Sequence, residues 1–152
     1  MFSQTTEYAL RAVVYLAAQG GAARTIQQIA AATRVPAHYL SKVMQNLRRA
    51  DLVQSQRGLH GGFSLRVPTV ELTVYDVVQA VDPIRRIEKC PLGIKDHINL
   101  CPLHRRLDAA MDMVEQALRG STIAELLVEP ARERGIPIPL CAWPADEQTE
   151  GH

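Results

Sequence analysis

The chain has 152 residues, 47% of them hydrophobic and 22% charged, with a net charge of +1. A chain of this length forms one domain, or one domain with an appendage, and buries roughly 68–70% of its unfolded surface. It contains neither an apolar run of about 18 residues nor a basic segment followed by a cleavable apolar core. We therefore predict a cytoplasmic protein that has no membrane partner.

The charges are distributed unevenly along the chain. Residues 1–68 contain eight lysines and arginines against two acidic residues, a net charge of +6. The remainder contains nine basic and fourteen acidic residues, a net charge of −5. This asymmetry is typical of a basic DNA-contacting half joined to an acidic regulatory or dimerising half. Ordinary solvated charges are the alternative.

The first three predicted helices follow the pattern of a helix-turn-helix. Ser3 is placed to cap a helix that runs to about Gln19. Thr25 caps a short second helix, and Pro36 lies at the start of a third. We expect the third helix to be the one that reads DNA.

The third helix has an apolar side and a polar side. We expect its apolar residues to be buried, namely Tyr39, Leu40, Val43, Met44 and Leu47. The polar candidates for contacts with base edges and phosphates are His38, Ser41, Lys42 and Gln45. We favour Lys42 and Ser41 among them, whereas His38 is equally well interpreted as a surface residue without a partner.

Residues 53–65 consist of two short strand-like runs on either side of a glycine-rich tip. A tip that lies against a sugar-phosphate backbone needs positive φ angles and close backbone approach, which glycine allows. Arg57, His60 and Gly61 are therefore candidate DNA contacts. A plain structural turn is the alternative for the hairpin alone. With the helix-turn-helix before it, the pattern predicts a mainly α fold, a winged helix with a two-stranded wing that binds duplex DNA.

Three further helical patterns follow the wing. Thr73 caps a short apolar helix over residues 74–81, and Thr122 forms a capping box with Glu125 for a last short helix. Residues 102–119 carry an apolar stripe close to heptad spacing, made of Leu103, Leu107, Ala110 or Met111, Val114 and Leu118. The stripe packs either on its own domain or on a second copy. Because a reader of palindromic operators generally works as a two-fold dimer, we favour a homodimer.

These patterns divide the chain into four predicted segments. The winged-helix domain covers residues 1–82, a loop covers 83–101, and dimerisation helices cover 102–128. Residues 129–152, rich in proline and acidic residues, form a loosely ordered tail.

The cysteines of the predicted loop carry the chemistry of the chain. Three cysteines in a reducing compartment leave metal binding, redox chemistry or burial as their roles. Cys90 and Cys101 bracket ten residues, and His104 follows three positions later, so an early helical turn would bring Cys101 and His104 to one side. Zinc sites favour tight cysteine or histidine pairs, whereas loop-spaced cysteines fit an iron–sulfur cluster at least as well. Two buried cysteines and a surface histidine are the alternative. Cys141, in the tail, is predicted to be a bystander thiol.

Five segments in this order resemble one family, the bacterial winged-helix iron–sulfur and redox-responsive regulators of the IscR and NsrR type. They are TTEYALRAVVYLA, VPAHYLSKVMQNLRRADLVQSQRGLHGGFSL, VYDVVQAVDP, CPLH and STIAELL, and the resemblance covers about residues 1–128. It implies a homodimer with a long dimerisation helix and an iron–sulfur cluster in the loop before that helix. In NsrR-like members an acidic residue of the first helix, supplied by the partner subunit, completes the coordination. Glu7 occupies the matching position.

The chain departs from the family pattern at the middle of the loop. Members with a full site have three cysteines there, whereas this chain has Lys95, Asp96 and His97 where the middle one would fall. Two thiolates with harder ligands resemble Rieske-type centres, so a 2Fe-2S cluster is favoured over 4Fe-4S. The candidate ligands are Cys90, Cys101, His104 and Glu7 from the partner subunit, with His97 or Asp96 as substitutes.

The sequence as a whole predicts a transcriptional regulator, a repressor of a palindromic operator. Its affinity for double-stranded DNA would be set by a cluster that senses redox, nitric oxide or iron status. A cluster-free regulator of the same family, responding to a small molecule or a protein partner, is the alternative. We do not expect an enzyme, because no nucleophile–base pair, phosphate-binding loop or paired-carboxylate motif is visible.

Overall fold

The computed structural model describes residues 2–89 and 100–134, with side chains as far as 128. Its elements are α1 (Gln4–Ala18), α2 (Ile26–Thr33), α3 (Ala37–Arg49), β1 (Val53–Gln56), β2 (Gly62–Leu65), α4 (Val74–Val81), α5 (Pro102–Arg119) and α6 (Ile123–Arg134). The predicted mainly α fold with one two-stranded antiparallel sheet is confirmed. The predictions for Cys90, Lys95, Asp96, His97 and Cys141 lie outside the described residues.

Side-chain caps fix where four of the helices begin, as the sequence predicts. Ser3 accepts a hydrogen bond from the backbone N–H of Thr6 at the start of α1. Thr25 and Thr73 form capping boxes at the starts of α2 and α4, and Thr122 does so at the start of α6. A cap of this kind stabilises a helix by about 1 kcal/mol, so local sequence sets these boundaries.

The hydrophobic core is built around α1, which packs against α2, α3, α4 and α6. Its largest fully buried side chains include Leu16, Ile29, Leu40, Met44, Leu47, Leu72 and Ile123. Because Ile123 belongs to α6, a helix predicted within the dimerisation segment also contributes to the winged-helix core. Helix α6 continues through Pro130 to Arg134, so the predicted loose tail from 129 is helical at its start.

The wing is attached to the helix-turn-helix through its second strand. Strands β1 and β2 pair with Val53 opposite Leu65. The segment before α2 joins them: the N–H of Phe63 donates to the carbonyl of Arg24 at 2.7 Å, and the reverse hydrogen bond is 2.8 Å. Gly62 has a φ of +139°, and a Cβ there would lie 2.4 Å from the Arg24 carbonyl. Glycine is therefore required where the wing meets the helices.

Helix α5 differs from the other helices because none of its residues is buried. Leu103 and Leu107 of the predicted stripe are 62% and 48% exposed. Leu118, near the C-terminal end, packs partly against the core. The apolar stripe thus lies largely on the surface of the single chain. Neither α5 nor any other helix within residues 2–89 and 100–134 is long and apolar enough to cross a membrane.

Candidate nucleic-acid interface and metal-ligand pair

Helix α3 presents its polar side to solvent and its apolar side to the core. The four side chains predicted to contact DNA, His38, Ser41, Lys42 and Gln45, are all exposed. The buried side consists of Leu40, Val43, Met44 and Leu47. The hydroxyl of Ser41 donates to the carbonyl of Ala37 at 3.1 Å, which leaves its oxygen available as an acceptor.

The prediction that Tyr39 is buried was wrong. Its side chain is 50% exposed because it precedes the buried Leu40 and so falls at the edge of the apolar side of α3. The ring contacts Tyr8 of α1 edge-on, with centroids 6.0 Å apart, and lies 4.4 Å from the ring of His38. Tyr39 therefore links the first turns of α1 to the exposed side of α3.

The tip of the wing is a tight turn that displays two of the predicted DNA contacts. Arg57 and His60 are exposed, and Gly58 has a φ of +107°. The N–H of Gly61 donates to the carbonyl of Gly58 at 3.0 Å, and a Cβ at Gly61 would lie 2.7 Å from the carbonyl oxygen of Gln56. Gly61 therefore shapes the tip.

Several cations near this surface have no counter-ion among the described residues. Lys42, Arg48, Arg49 and Arg57 are exposed and form no ion pair with the residues that the structure describes. Arg48 and Arg49 lie in the last turn of α3. Sequence reasoning did not include them among the DNA contacts, although two consecutive arginines after Leu47 were a usable signal. Unpaired surface cations of this kind are available to phosphates.

Two of the predicted metal ligands meet at the beginning of α5. Cys101 is the N-cap residue and Pro102 occupies the first turn. The Cys101 Sγ lies 3.1 Å from the Nδ1 of His104, and both residues are partly buried. Within the described ranges no third Cys, His, Asp or Glu joins them in a group fit to hold a metal ion. The structure thus brings together the pair for which the three-residue spacing was the signal.

The third described candidate ligand, Glu7, lies in the first turn of α1. Its side chain is 58% exposed and forms an ion pair with Arg11, one helical turn later. A surface pair of this type contributes little to stability. Glu7 is therefore accessible on the face of α1 next to Tyr8.

A polar network that sequence reasoning missed connects the segment after α4 to α5. Arg86 binds both carboxylate oxygens of Asp108, with Nε–Oδ1 and Nη2–Oδ2 distances of 2.8 and 2.7 Å. Its Nη1 also lies 2.5 Å from Asp112 and 3.7 Å from Glu115. The network lowers the pKa of Asp108 to about 2, first through the hydrogen bonds from Arg86 and second through the N–H of Ile87. No local signal predicts contacts between residues 22 positions apart.

Comparison with known proteins identifies the family. The profile of the Rrf2 family, described as iron-dependent transcriptional regulators, matches residues 2–129. The chain belongs to the Rrf2 family. Members of this family are DNA-binding transcriptional regulators and not enzymes, and they are generally dimeric. The expectations of a DNA-binding regulator and of no enzymatic activity are therefore confirmed at the level of the family.

Two relatives among the curated proteins cover most of the chain. NsrR, an HTH-type transcriptional regulator of Geobacillus kaustophilus, is 30% identical over 135 residues, which are 86% of this chain and 92% of that protein. An HTH-type transcriptional regulator of Mycobacterium tuberculosis is 38% identical over 130 residues, 82% of this chain and 79% of that protein. Both alignments reach well beyond the winged helix into the C-terminal third.

Solved structures confirm the winged-helix fold. IscR of T. potens superposes with a TM-score of 0.71 at 21% identity and covers 88% of this chain and 90% of its own. CymR, the global cysteine regulator of B. subtilis, has a TM-score of 0.69 at 25% identity and covers 83% and 95%. IscR and a regulator named for cysteine thus share this fold.

The donor pair at the start of α5 is compatible with an iron–sulfur cluster. Thiolate sulfur and imidazole nitrogen are the two ligand types of a Rieske-type 2Fe-2S centre. The N-terminus of a helix also favours the negative charge of a bound thiolate. Cys101 and His104 therefore fit as part of a ligand set, and the remainder must come from other residues.

Proposed function

We propose that this chain is a homodimeric transcriptional repressor whose affinity for a palindromic operator is set by the state of an iron–sulfur cluster that responds to redox conditions, nitric oxide or iron. The observation that carries the proposal is the Cys101–His104 pair, 3.1 Å apart, at the head of a helix whose apolar stripe is uncovered. A protein that binds a chromosomal operator would act in the bacterial cytoplasm.

The proposed dimer forms through α5. Leu103 and Leu107 are more exposed than expected for a helix that packs only against its own chain. In a coiled coil, a stripe of this kind is buried against the same stripe of a second copy. Family members are generally dimeric, which supports a second copy as the occupant. A two-fold dimer would place two α3 helices on successive major grooves, with half-sites one helical turn or a multiple apart.

The proposed DNA contacts lie on two surfaces. The α3 residues His38, Ser41, Lys42 and Gln45 would enter the major groove, where lysine reads guanine or anchors a phosphate. At the wing, Arg57 and His60 would reach a phosphate or the adjacent minor groove, with Gly61 allowing close approach. Their exposure and the unpaired cations beside them support this assignment.

Cys101 and His104 would hold the cluster together with Cys90, and Glu7 of the partner subunit would complete the set, with His97 or Asp96 as substitutes. A bound cluster would supply a centre that changes with redox state or nitric oxide, and two thiolates favour 2Fe-2S over 4Fe-4S. Glu7 is exposed and close to Tyr8, whose ring contacts Tyr39 of α3. Displacement of Glu7 would therefore shift the recognition helix through the contact between Tyr8 and Tyr39.

An allosteric coupling of about 1–3 kcal/mol between the cluster and the DNA-binding surface would change operator occupancy roughly 5- to 150-fold.

A cluster-free regulator is the second candidate function, because CymR, named as a cysteine regulator, superposes almost as well as IscR. The two candidate functions use the same DNA-reading surface. They differ in whether the residues after α4 hold a cluster.

The DNA assignment is tested with Lys42→Ala and Arg57→Ala. We expect both variants to bind the operator duplex more weakly at matched salt, with a loss of about 1–3 kcal/mol in base discrimination if Lys42 reads a base. Arg106→Ala removes an exposed charge from α5 and serves as the control. Wild-type affinity in both test variants would contradict the assignment.

The ligand assignment is tested with Cys90→Ala, Cys101→Ala and Glu7→Ala. Each cysteine variant should lose visible absorbance and any dependence of DNA affinity on iron. Glu7→Ala should keep absorbance in altered form and lose that dependence, since a carboxylate is replaced by water more readily than a thiolate. Glu71→Ala, at another exposed glutamate, is the control. Retention of the wild-type spectrum and full regulation by Glu7→Ala would assign the fourth ligand to His97 or Asp96.

A further inference from the structure

Helix α5 is attached to its own chain differently at its two ends. Near its C-terminus, Leu118 packs partly against the core. The following turn hydrogen-bonds to the segment around α4, with the Val74 N–H donating to the Ser121 carbonyl at 2.9 Å. The guanidinium of Arg119 also lies 3.5 Å from the centre of the Tyr75 ring of α4. These contacts attach the C-terminal end of α5 to the winged helix.

The N-terminal half of α5 has no comparable apolar attachment. No residue of the helix is buried, and the stripe that includes Leu103 and Leu107 faces solvent. Among the residues that the structure describes, this half is attached through Asp108, which accepts two hydrogen bonds from Arg86 and a third, at 3.0 Å, from the N–H of Ile87. The Asp108 side chain is only 19% exposed, so the pair is well shielded for a surface ion pair.

The segment that carries Arg86 is itself fixed to the winged helix. The N–H of Ile84 donates to the Gln79 side chain at 3.0 Å, and Ile84 packs against the core. Asp82, at the end of α4, accepts a hydrogen bond from Thr6 in α1 at 3.4 Å. Arg86 therefore projects from a segment whose position follows α1 and α4, and it binds α5 with a planar, two-pronged geometry that fixes orientation as well as distance.

We propose that Arg86 is a positioning residue that sets the angle at which α5 leaves the winged helix, and thereby the separation of the two recognition helices in the dimer. The proposal rests on the proposed function, because it needs α5 to be the dimer helix of a DNA-binding protein. The spacing between half-sites that the dimer prefers then depends on the Arg86–Asp108 pair. Because the Arg86 side chain remains 36% exposed, we expect the protein to fold when the pair is removed.

The test uses the full-length protein and a duplex that the wild type itself selects from a random-sequence DNA library. Binding is then measured on versions of that duplex in which the spacer between half-sites is shortened or lengthened by one base pair. Arg86→Ala and Asp108→Asn remove the pair from either side. Arg85→Ala removes an adjacent arginine that is exposed and forms no ion pair with any described residue.

We expect Arg86→Ala and Asp108→Asn to lose about tenfold in preference for the selected spacing over the altered ones, while Arg85→Ala keeps the wild-type preference. The double variant should lose no more than Arg86→Ala alone, because the effect of Asp108→Asn on the spacing acts through its interaction with Arg86. Amide hydrogen exchange in the first half of α5 should be faster in the free Arg86→Ala and Asp108→Asn proteins than in the wild type or Arg85→Ala.

Three outcomes overturn the inference: a wild-type spacing preference in folded Asp108→Asn, an equal loss of preference in Arg85→Ala, or unchanged exchange of α5 in both test variants. Failure of the wild type to enrich any duplex would contradict the proposed function instead. Because the exchange measurement uses no DNA, it still decides whether Arg86 holds α5 in that case.

Discussion

Helices α3 and α5 are both amphipathic, yet they expose opposite sides. Helix α3 buries Leu40 and Leu47 completely and presents polar and basic side chains to solvent. Helix α5 presents Leu103 and Leu107 to solvent, whereas Asp108 and Glu115 lie toward Arg86 of its own chain. The exposed side of each helix supports the partner that we propose for it. A polar and basic side suits the polyanion proposed for α3, and an apolar side suits the second copy of α5 proposed for α5.

The largest expected effect is a difference in protein stability between substitutions in the two helices. Leu40→Ala should lower the free energy of unfolding by about 2–5 kcal/mol, because it opens a cavity in a closely packed core. Leu107→Ala, measured by urea unfolding at a protein concentration low enough to give monomers, should change it by less than about 0.5 kcal/mol. Similar losses for the two variants would mean that α5 is buried within its own chain and would contradict the comparison.

The next effect concerns assembly. Leu107→Glu and Met111→Glu place a charge in the proposed seam and should give monomers or insoluble protein in sedimentation experiments, since an unpaired charge in an apolar interface is costly. Met113→Glu is the matched control: Met113 is 72% exposed and is not part of the stripe. Soluble dimers in both seam variants, or dissociation in the control as well, would contradict the seam.

A smaller effect tests how firmly the wing is joined to the helix-turn-helix. Gly62→Ala introduces a Cβ within 2.4 Å of the Arg24 carbonyl at a φ of +139°, so it should destabilise the protein by at least about 1 kcal/mol. Gly58→Ala has a similarly positive φ but meets no atom within 4 Å, and it isolates the cost of backbone strain. Equal melting temperatures for the two variants would show that the close contact with Arg24 is unimportant.

Sequence reasoning succeeded where the signal is local. Ser3, Thr25, Thr73 and Thr122 cap the helices that they were predicted to cap, because a cap depends on residues three positions apart. The Cys101–His104 contact was predicted on the same basis. The wing and the helix-turn-helix could also be predicted, because glycine positions and apolar periodicity are visible within short segments of the sequence.

Sequence reasoning failed where tertiary contacts determine the position of a residue. Tyr39 has the periodicity of a core residue, but it lies at the edge of the apolar side of α3, where its ring contacts Tyr8 of α1. The Arg24–Phe63 bridge and the Arg86–Asp108 pair join residues far apart in the chain, and neither leaves a local pattern. The predicted loosely ordered tail begins at residue 129, yet α6 continues to Arg134.

The smallest effect is electrostatic and tests the attachment of α5. The hydrogen bonds from Arg86 hold the pKa of Asp108 at about 2, below its ordinary value of 3.8. A carboxyl group whose pKa is lowered on folding stabilises the folded state at pH values above 3.8. This stabilisation is lost as the pH falls toward about 2. Carboxyl NMR should therefore show Asp108 titrating near the lower value in the wild type and closer to 3.8 in Arg86→Ala. The same midpoint in both proteins would mean that Arg86 does not hold Asp108 in solution.

The central claim, that Cys101 and His104 help to hold an iron–sulfur cluster in a DNA-reading dimer, is tested most directly by the visible absorption spectrum of anaerobically purified protein. The account predicts a brown protein that contains iron and acid-labile sulfide, and a Cys101→Ala variant that is folded, binds no iron and is colourless. A colourless wild-type protein that takes up no iron on reconstitution would contradict it and would leave a cluster-free regulator as the function of this chain.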